Sequence, residues 1–233
     1  VLWTSSIGEM EMMPVEVEFL EHILHNPCVD EVWFGTRALA RIYPEKGFYA
    51  PYPVKPEIKA PRPKRDIVTL FCPPTLKKNI YNQLAAVSMI QKEQPEITLV
   101  TNLPPAFHKV FPLKGVIGQG WLPDKEYKEL LSLSRLNLAV SWAETQNYQV
   151  LEALELGVMS LTSQTVPVSP FLVSVTDPNN PNEIAAKALG LLNSSILDPM
   201  ILQAQSLVMD YARDCNEKCL QELKKGLKAP PVD

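Results

Sequence analysis

The sequence predicts an α/β fold, a Rossmann-like doubly wound parallel sheet with a partial α/β segment ahead of it. Three observations predict it. Short apolar runs recur at 66–72, 97–101, 115–120, 136–141, 158–162 and 171–175, each of strand length. Helical periodicity fills several of the gaps, as in 78–92, where Leu84, Ala85, Val87 and Ile90 form an apolar stripe. Strands and helices therefore alternate, which implies βαβ units and a parallel sheet. Right-handed crossovers then wind helices onto both faces.

The elements follow in order. Residues 66–72 read as a strand buried on both faces. Residues 124–134 read as a helix between the strands at 115–120 and 136–141. Two late helices are expected at 183–193 and 199–223. Ahead of the sheet, 1–5 and 31–35 read as strands and 16–25 as a helix. The segment 55–65 is rich in proline and basic residues and reads as a linker. The expected organisation is a first piece at 1–54, the linker, and a nucleotide-binding domain at 66–197. A C-terminal helix at 198–228 packing across the domains and a tail at 229–233 complete it.

Composition bounds the function. The chain has 233 residues, 46% hydrophobic and 21% charged, as in ordinary globular proteins. A formal net charge of −4 gives no global pull towards nucleic acid or an anionic membrane. No apolar run reaches the roughly 20 residues that span a bilayer. Four cysteines form no disulfide framework in a chain of this size, which fits a reducing, cytoplasmic compartment. The first residues carry neither a signal peptide nor an initiating methionine, so the sequence reads as a fragment.

The chemistry concentrates in Ser141-Trp-Ala-Glu144-Thr-Gln-Asn-Tyr-Gln-Val-Leu-Glu152-Ala-Leu-Glu-Leu-Gly157. An apolar strand enters it, a polar loop follows, then an apolar helix, then Gly157 and another strand. Glu152 lies among Val150, Leu151, Ala153 and Leu154, and a carboxylate there requires a hydrogen-bond partner. In an open parallel sheet, ligands bind at the carboxyl ends of the strands. The loop at 144–147 sits at such an end and starts a helix, whose free N–H groups attract anions. Amides for a phosphate beside two carboxylates for hydroxyls suit a nucleotide or nucleotide-sugar. Taken singly, Glu144 would be a surface residue and Glu152 a snorkelling one; the strand–loop–helix–Gly–strand context argues otherwise.

Glu144 and Glu152 are separated by seven residues, and the segment resembles the E-x7-E motif of retaining glycosyltransferases with the GT-B fold. Lys77-Lys78-Asn79 resembles the lysine that reaches the donor diphosphate. Gly118-Gln-Gly-Trp-Leu-Pro-Asp-Lys-Glu-Tyr resembles the strand and loop near the donor base. Asp177-Pro-Asn-Asn-Pro-Asn-Glu-Ile-Ala resembles the segment leading to the late helix. The resemblance spans about 31–223. It implies the GT-B C-terminal domain, with the 1–54 piece a remnant of the acceptor-side domain.

The resemblance also implies roles. Glu152 would hold the donor ribose hydroxyls, and Glu144 would stand beside the transferred sugar. Thr145, Gln146 and Asn147 would offer backbone N–H groups to the diphosphate or sugar. Lys78, with Lys77 beside it, would neutralise the diphosphate leaving group. Trp121 or Leu122 would lie near the base. The implied donor is a UDP-sugar or GDP-sugar, with no cofactor or metal, and the acceptor is a glycan, lipid or protein. No nucleic-acid partner is implied, and any membrane contact is peripheral.

Two departures stand out. The family carries an arginine shortly before the lysine, whereas this chain reads Phe71-Cys-Pro-Pro-Thr-Leu-Lys77. The family favours Gly-Phe-Gly after the first glutamate, where this chain has Thr145-Gln-Asn147. A non-catalytic nucleotide-sugar-binding or scaffold protein and a sugar-nucleotide epimerase of the same fold are therefore the alternatives. Other motifs carry less. The glycines of 115–120 lie in a strand and miss the dinucleotide fingerprint, and no P-loop occurs. His22, His25 and Cys28 recur at a turn-like spacing, but Pro27 ends the helix before Cys28. His108 reads as a loop residue.

Overall fold

In a computed structural model, the structure describes residues 2–4, 14–35, 37–50, 58–59, 64–118, 120–144, 147–166, 168–195 and 197–226. The chain divides into two compact units. One comprises Val1–Lys55, Ala143–Gln146 and Met209–Asp233; the other comprises Pro56–Trp142 and Asn147–Val208.

In the first unit, β1 (Leu2–Thr4), β2 (Val32–Phe34) and β3 (Gly47–Tyr49) form a parallel sheet in that order. Helices α1 (Pro14–His25) and α2 (Arg37–Ile42) connect the strands. Leu20, Val32 and Phe34 make the core, and Tyr43 stacks on Phe34 at 5.7 Å between ring centroids. Gly47 is required here, because a Cβ would collide with the Tyr43 carbonyl oxygen. Helix α1 ends before Pro27, and the His25 ring bonds the Glu21 carbonyl oxygen at 2.7 Å.

The second unit is built on six parallel strands: β4 (Ile67–Leu70), β5 (Thr98–Thr101), β6 (Val116–Gly118), β7 (Leu136–Ala139), β8 (Met159–Ser163) and β9 (Ser174–Val175). Their order is β6-β5-β4-β7-β8-β9. Helices α3 (Ile80–Glu93) and α7 (Pro181–Leu192) pack together, as do α5 (Asp124–Leu133) and α6 (Tyr148–Glu155). Val68, Leu99, Leu136, Leu138 and Leu161 are fully buried, as expected for strands covered on both faces. The strand order reverses between β4 and β7, which pair Val68 with Leu136. Their carboxyl ends open side by side, the crevice where such sheets bind ligands.

Several elements differ from the sequence reading. Helix α2 and strand β3 were not expected, being too short for a hydrophobic period to repeat clearly. His108 ends a single helical turn, α4 (Pro105–His108), rather than lying in a loop; Pro104 and Pro105 pre-set its first turn. The strand expected at 171–175 shortens to β9, because a 3-10 turn at Ser169–Phe171, containing Pro170, comes first. The last helix, α8 (Leu197–Gly226), runs through Pro199, which sits in its first turn where no N–H is needed. Within 55–65, the described residues bond to the second unit: the Lys59 N–H to the Glu155 carbonyl and the Lys64 ammonium to the Ser132 carbonyl.

Inside the sheet, polar side chains bond one another. The Thr69 hydroxyl lies 3.3 Å from Asn137 Oδ1, and Asn137 Nδ2 donates to Ser160 Oγ at 2.9 Å. Gln149 of α6 donates to Asn137 Oδ1 at 2.6 Å. This fixes the start of α6 onto β7, the pair of elements that carries the glutamate motif.

Candidate nucleotide-sugar site

The chain leaving β4 turns at Leu76–Lys78 and then passes through Asn79 with φ 52 and ψ 39. Asn79 is the one non-glycine residue with positive φ among the described residues, a conformation that asparagine tolerates better than most. Its side chain donates to the Pro178 carbonyl at 2.5 Å. The Lys77 carbonyl accepts from the Trp142 N–H at 2.8 Å, and the Lys78 carbonyl accepts from Gln83 Nε2 at 2.8 Å. Gln83 Oε1 in turn accepts from the Val140 N–H at 3.0 Å. One buried glutamine thus ties the lysine turn to the end of β7. The switch point is held by hydrogen bonds as well as by strand pairing.

Glu144 follows β7 and is buried, within the unit that contains the N-terminal sheet. Thr145 and Gln146 lie outside the described residues. Asn147 caps α6: its side-chain oxygen and its carbonyl both receive the Val150 N–H, at 3.4 and 3.1 Å. The Asn147 side chain is thereby engaged by the helix itself.

Glu152 stands in the second turn of α6, half-buried. The partner that its surroundings demand is Tyr127 of α5, whose hydroxyl donates to Glu152 Oε2 at 2.9 Å. Among the described residues, Oε1 accepts no hydrogen bond. Burial pushes the Glu152 carboxyl above its usual range, and the Tyr127 bond offsets only part of that. The same burial, and the neighbouring carboxylate, push the Tyr127 phenol up. The Tyr127 ring meets Phe71 edge-on at 5.2 Å, just past the end of β4. Leu122 packs on the cluster of Ile67, Phe71 and Val100, while Trp121 is 78% exposed. A carboxylate with one tethered oxygen and one open oxygen, beside aromatic rings, can accept a hydroxyl from a ribose.

Tyr127 and Gln83 were not singled out from the sequence. Tyr127 had one legible sign, an aromatic residue on the otherwise polar first turn of a helix, Asp124-Lys-Glu-Tyr-Lys-Glu. Among the described residues, no group of three or more His, Cys, Asp or Glu could hold a metal ion, and no helix is long and apolar enough to cross a membrane.

No family model matches this sequence, and no curated protein does. Solved structures do match. A TarM mutant from S. aureus, in complex with fondaparinux, alpha-GlcNAc-glycerol and UDP, aligns with a TM-score of 0.71 at 18% identity, over 88% of this chain and 46% of that one. Trehalose-6-phosphate synthase OtsA aligns at 0.72 and 11%, over 96% and 64%. A UDP-forming trehalose-phosphate synthase from Burkholderia xenovorans aligns at 0.73 and 10%, over 97% and 68%. The fold is that of the GT-B glycosyltransferases. At these identities the likeness is one of fold. The chain spans about half the length of TarM and about two thirds of the synthases. Glu152 lies on α6 of the six-stranded unit, and Glu144 is grouped with the N-terminal sheet.

Proposed function

We propose that this chain binds a nucleotide diphosphate sugar and supplies the donor-binding part of a retaining glycosyltransferase. The observation that supports the reading is the Glu152 carboxylate, with Oε2 tethered by Tyr127, whose ring meets Phe71 just past the end of β4, and with Oε1 accepting no hydrogen bond among the described residues. Ribose hydroxyls donate to that carboxylate. Lys77 and Lys78 offset the diphosphate charge, which grows as the sugar leaves. The start of α6 adds backbone N–H groups at the anion. Glu144 acts beside the transferred sugar. In the reaction, the bond from the anomeric carbon to the phosphate oxygen breaks and a bond to the acceptor oxygen forms on the same face. The acceptor proton passes to the leaving diphosphate.

Calorimetry with UDP and GDP tests the binding. One of them binds the intact chain, and Glu152→Ala weakens it by about tenfold, the loss of one hydrogen bond to a charged group. No binding, or equal binding by the variant, overturns the assignment. Product anomeric configuration, read by NMR, tests retention.

A second reading is nucleotide-sugar binding without turnover. The Asn147 side chain capping α6, where the resembled enzymes use a glycine-rich loop, favours it, as does the absence of arginine from 71–77. Donor hydrolysis or transfer in a radiolabelled-sugar assay separates the two.

A further inference from the structure

A second recess lies at the carboxyl edge of the same sheet. It has a volume of about 260 Å³ and is walled by Thr75 and Leu76 after β4, Asn79 and Asn82 at the start of α3, Phe107 of α4, and Trp142 after β7. Tyr81 also lines it, its ring tilted by 31° against Phe107 with ring centroids 5.8 Å apart. These segments all leave carboxyl ends of parallel strands. The recess is built from α3 and α4, whereas Tyr127 and Glu152 belong to α5 and α6; Leu76, Asn79 and Trp142 adjoin the lysine turn, but Tyr81, Asn82 and Phe107 have no part in the nucleotide site.

Its chemistry is specific. Three aromatic rings converge, and two of them are exposed on the surface of a folded unit, Tyr81 at 52% and Trp142 at 41%. Polar atoms stand among them with unused hydrogen-bonding capacity. Thr75 makes no cap bond to the following turn, and Asn79 does not cap α3 with its side chain, leaving the helix's first N–H groups uncapped. Asn82 donates to Asn79 Oδ1 at 2.7 Å, and among the described residues its own Oδ1 has no protein partner. The recess is held firm, because Asn79 is fixed in its left-handed conformation by Pro178. Among the described residues, no charged side chain lines it. Neutral donors and acceptors between aromatic faces match a molecule with apolar C–H faces and an equatorial ring of hydroxyls. An anion finds no cation there, and an aliphatic chain leaves the amides and hydroxyl unpaired.

We propose that this recess is a saccharide subsite that seats one pyranose ring of a glycan, stacked on Tyr81 and Trp142 and hydrogen-bonded by Asn82 and Thr75. It deepens the proposed function by making the acceptor, or the growing product, a carbohydrate chain, and it rests on that reading only for this role.

The intact chain is applied to an array of neutral glycans, and the best-retained glycan is then titrated by calorimetry into wild type, Tyr81→Ala and Asn82→Ala. UDP and GDP are titrated in parallel. The expected result is retention of at least one glycan, weakened about tenfold by Tyr81→Ala and less by Asn82→Ala, with nucleotide affinity unchanged. Retention of no glycan overturns the proposal, as does binding that both variants leave intact. So does selective capture of an apolar peptide at Tyr81. If Tyr81→Ala loses NMR dispersion, Asn82→Ala and Trp142→Phe decide. Loss of nucleotide binding in wild type with glycan binding preserved would count against the donor assignment and leave the subsite standing.

Discussion

Glu152 and Glu183 are both helix carboxylates on the same unit, and they are treated in opposite ways. Glu183, at the start of α7, accepts the Thr176 N–H at 2.7 Å on one oxygen and the Asp177 N–H at 2.9 Å on the other. The Lys187 ammonium lies 3.0 Å away. The two backbone bonds, with Lys187, hold its carboxyl at about 2, below the usual range. Glu152 is half-buried, receives one phenol, and is pushed up. A carboxylate whose oxygens are both filled by its own chain is a structural clasp. One left half-filled has an acceptor to spare for a ligand. The same contrast separates Asn137, bonded by Thr69, Ser160 and Gln149, from Asn82 in the aromatic recess.

If filled groups are structural, Asn137→Ala should cost the most stability. It strands Ser160 and Gln149 and opens a void, so about 2–4 kcal/mol is expected in urea unfolding. If the half-filled group is functional, Glu152→Ala should instead cost about tenfold in nucleotide affinity, with little change in Tm. Tyr127→Phe should fall between. It removes the tether, costing about 1 kcal/mol in stability and about threefold in nucleotide affinity, while keeping the ring on Phe71.

The two carboxylates should also differ in sign with pH. The lowered Glu183 contributes stability at pH above its unfolded value, and this contribution is lost as pH falls towards about 2. Glu183→Gln should thus destabilise at pH 7 and converge with wild type near that pH. The raised Glu152 works the other way. Its charge is a cost to the native state at neutral pH, relieved as pH falls through its raised value towards the unfolded one. Glu152→Gln should therefore raise Tm slightly at pH 7, and the gain should shrink on acidification. Thermal scans from about pH 2 to about pH 8 read both effects.

The sheet was legible because strands buried on both faces leave continuous apolar runs, as at 66–72 and 136–141. So was the position of the glutamate motif, since a strand, a polar loop and an apolar helix place it at a carboxyl end. The partners were not legible. Tyr127 reaches Glu152 across 25 residues and Gln83 reaches Val140 across 57, and no local pattern records such contacts. The side-chain capping by Asn147 was hidden for a different reason. Asparagine before a helix can offer its N–H outward or turn its oxygen inward, and only the backbone conformation decides. The three-residue strand β3 and the single turn α4 were too short to show a period.

The central claim is that the open oxygen of Glu152 receives ribose hydroxyls. Calorimetric titration of UDP and GDP and of their 2′,3′-dideoxy analogues, into wild type and Glu152→Ala, tests it most directly. The account predicts that the better-binding nucleotide loses about tenfold in affinity on Glu152→Ala, while its dideoxy analogue binds both proteins equally weakly. Equal losses for the nucleotide and its analogue, or no loss for either, would contradict it.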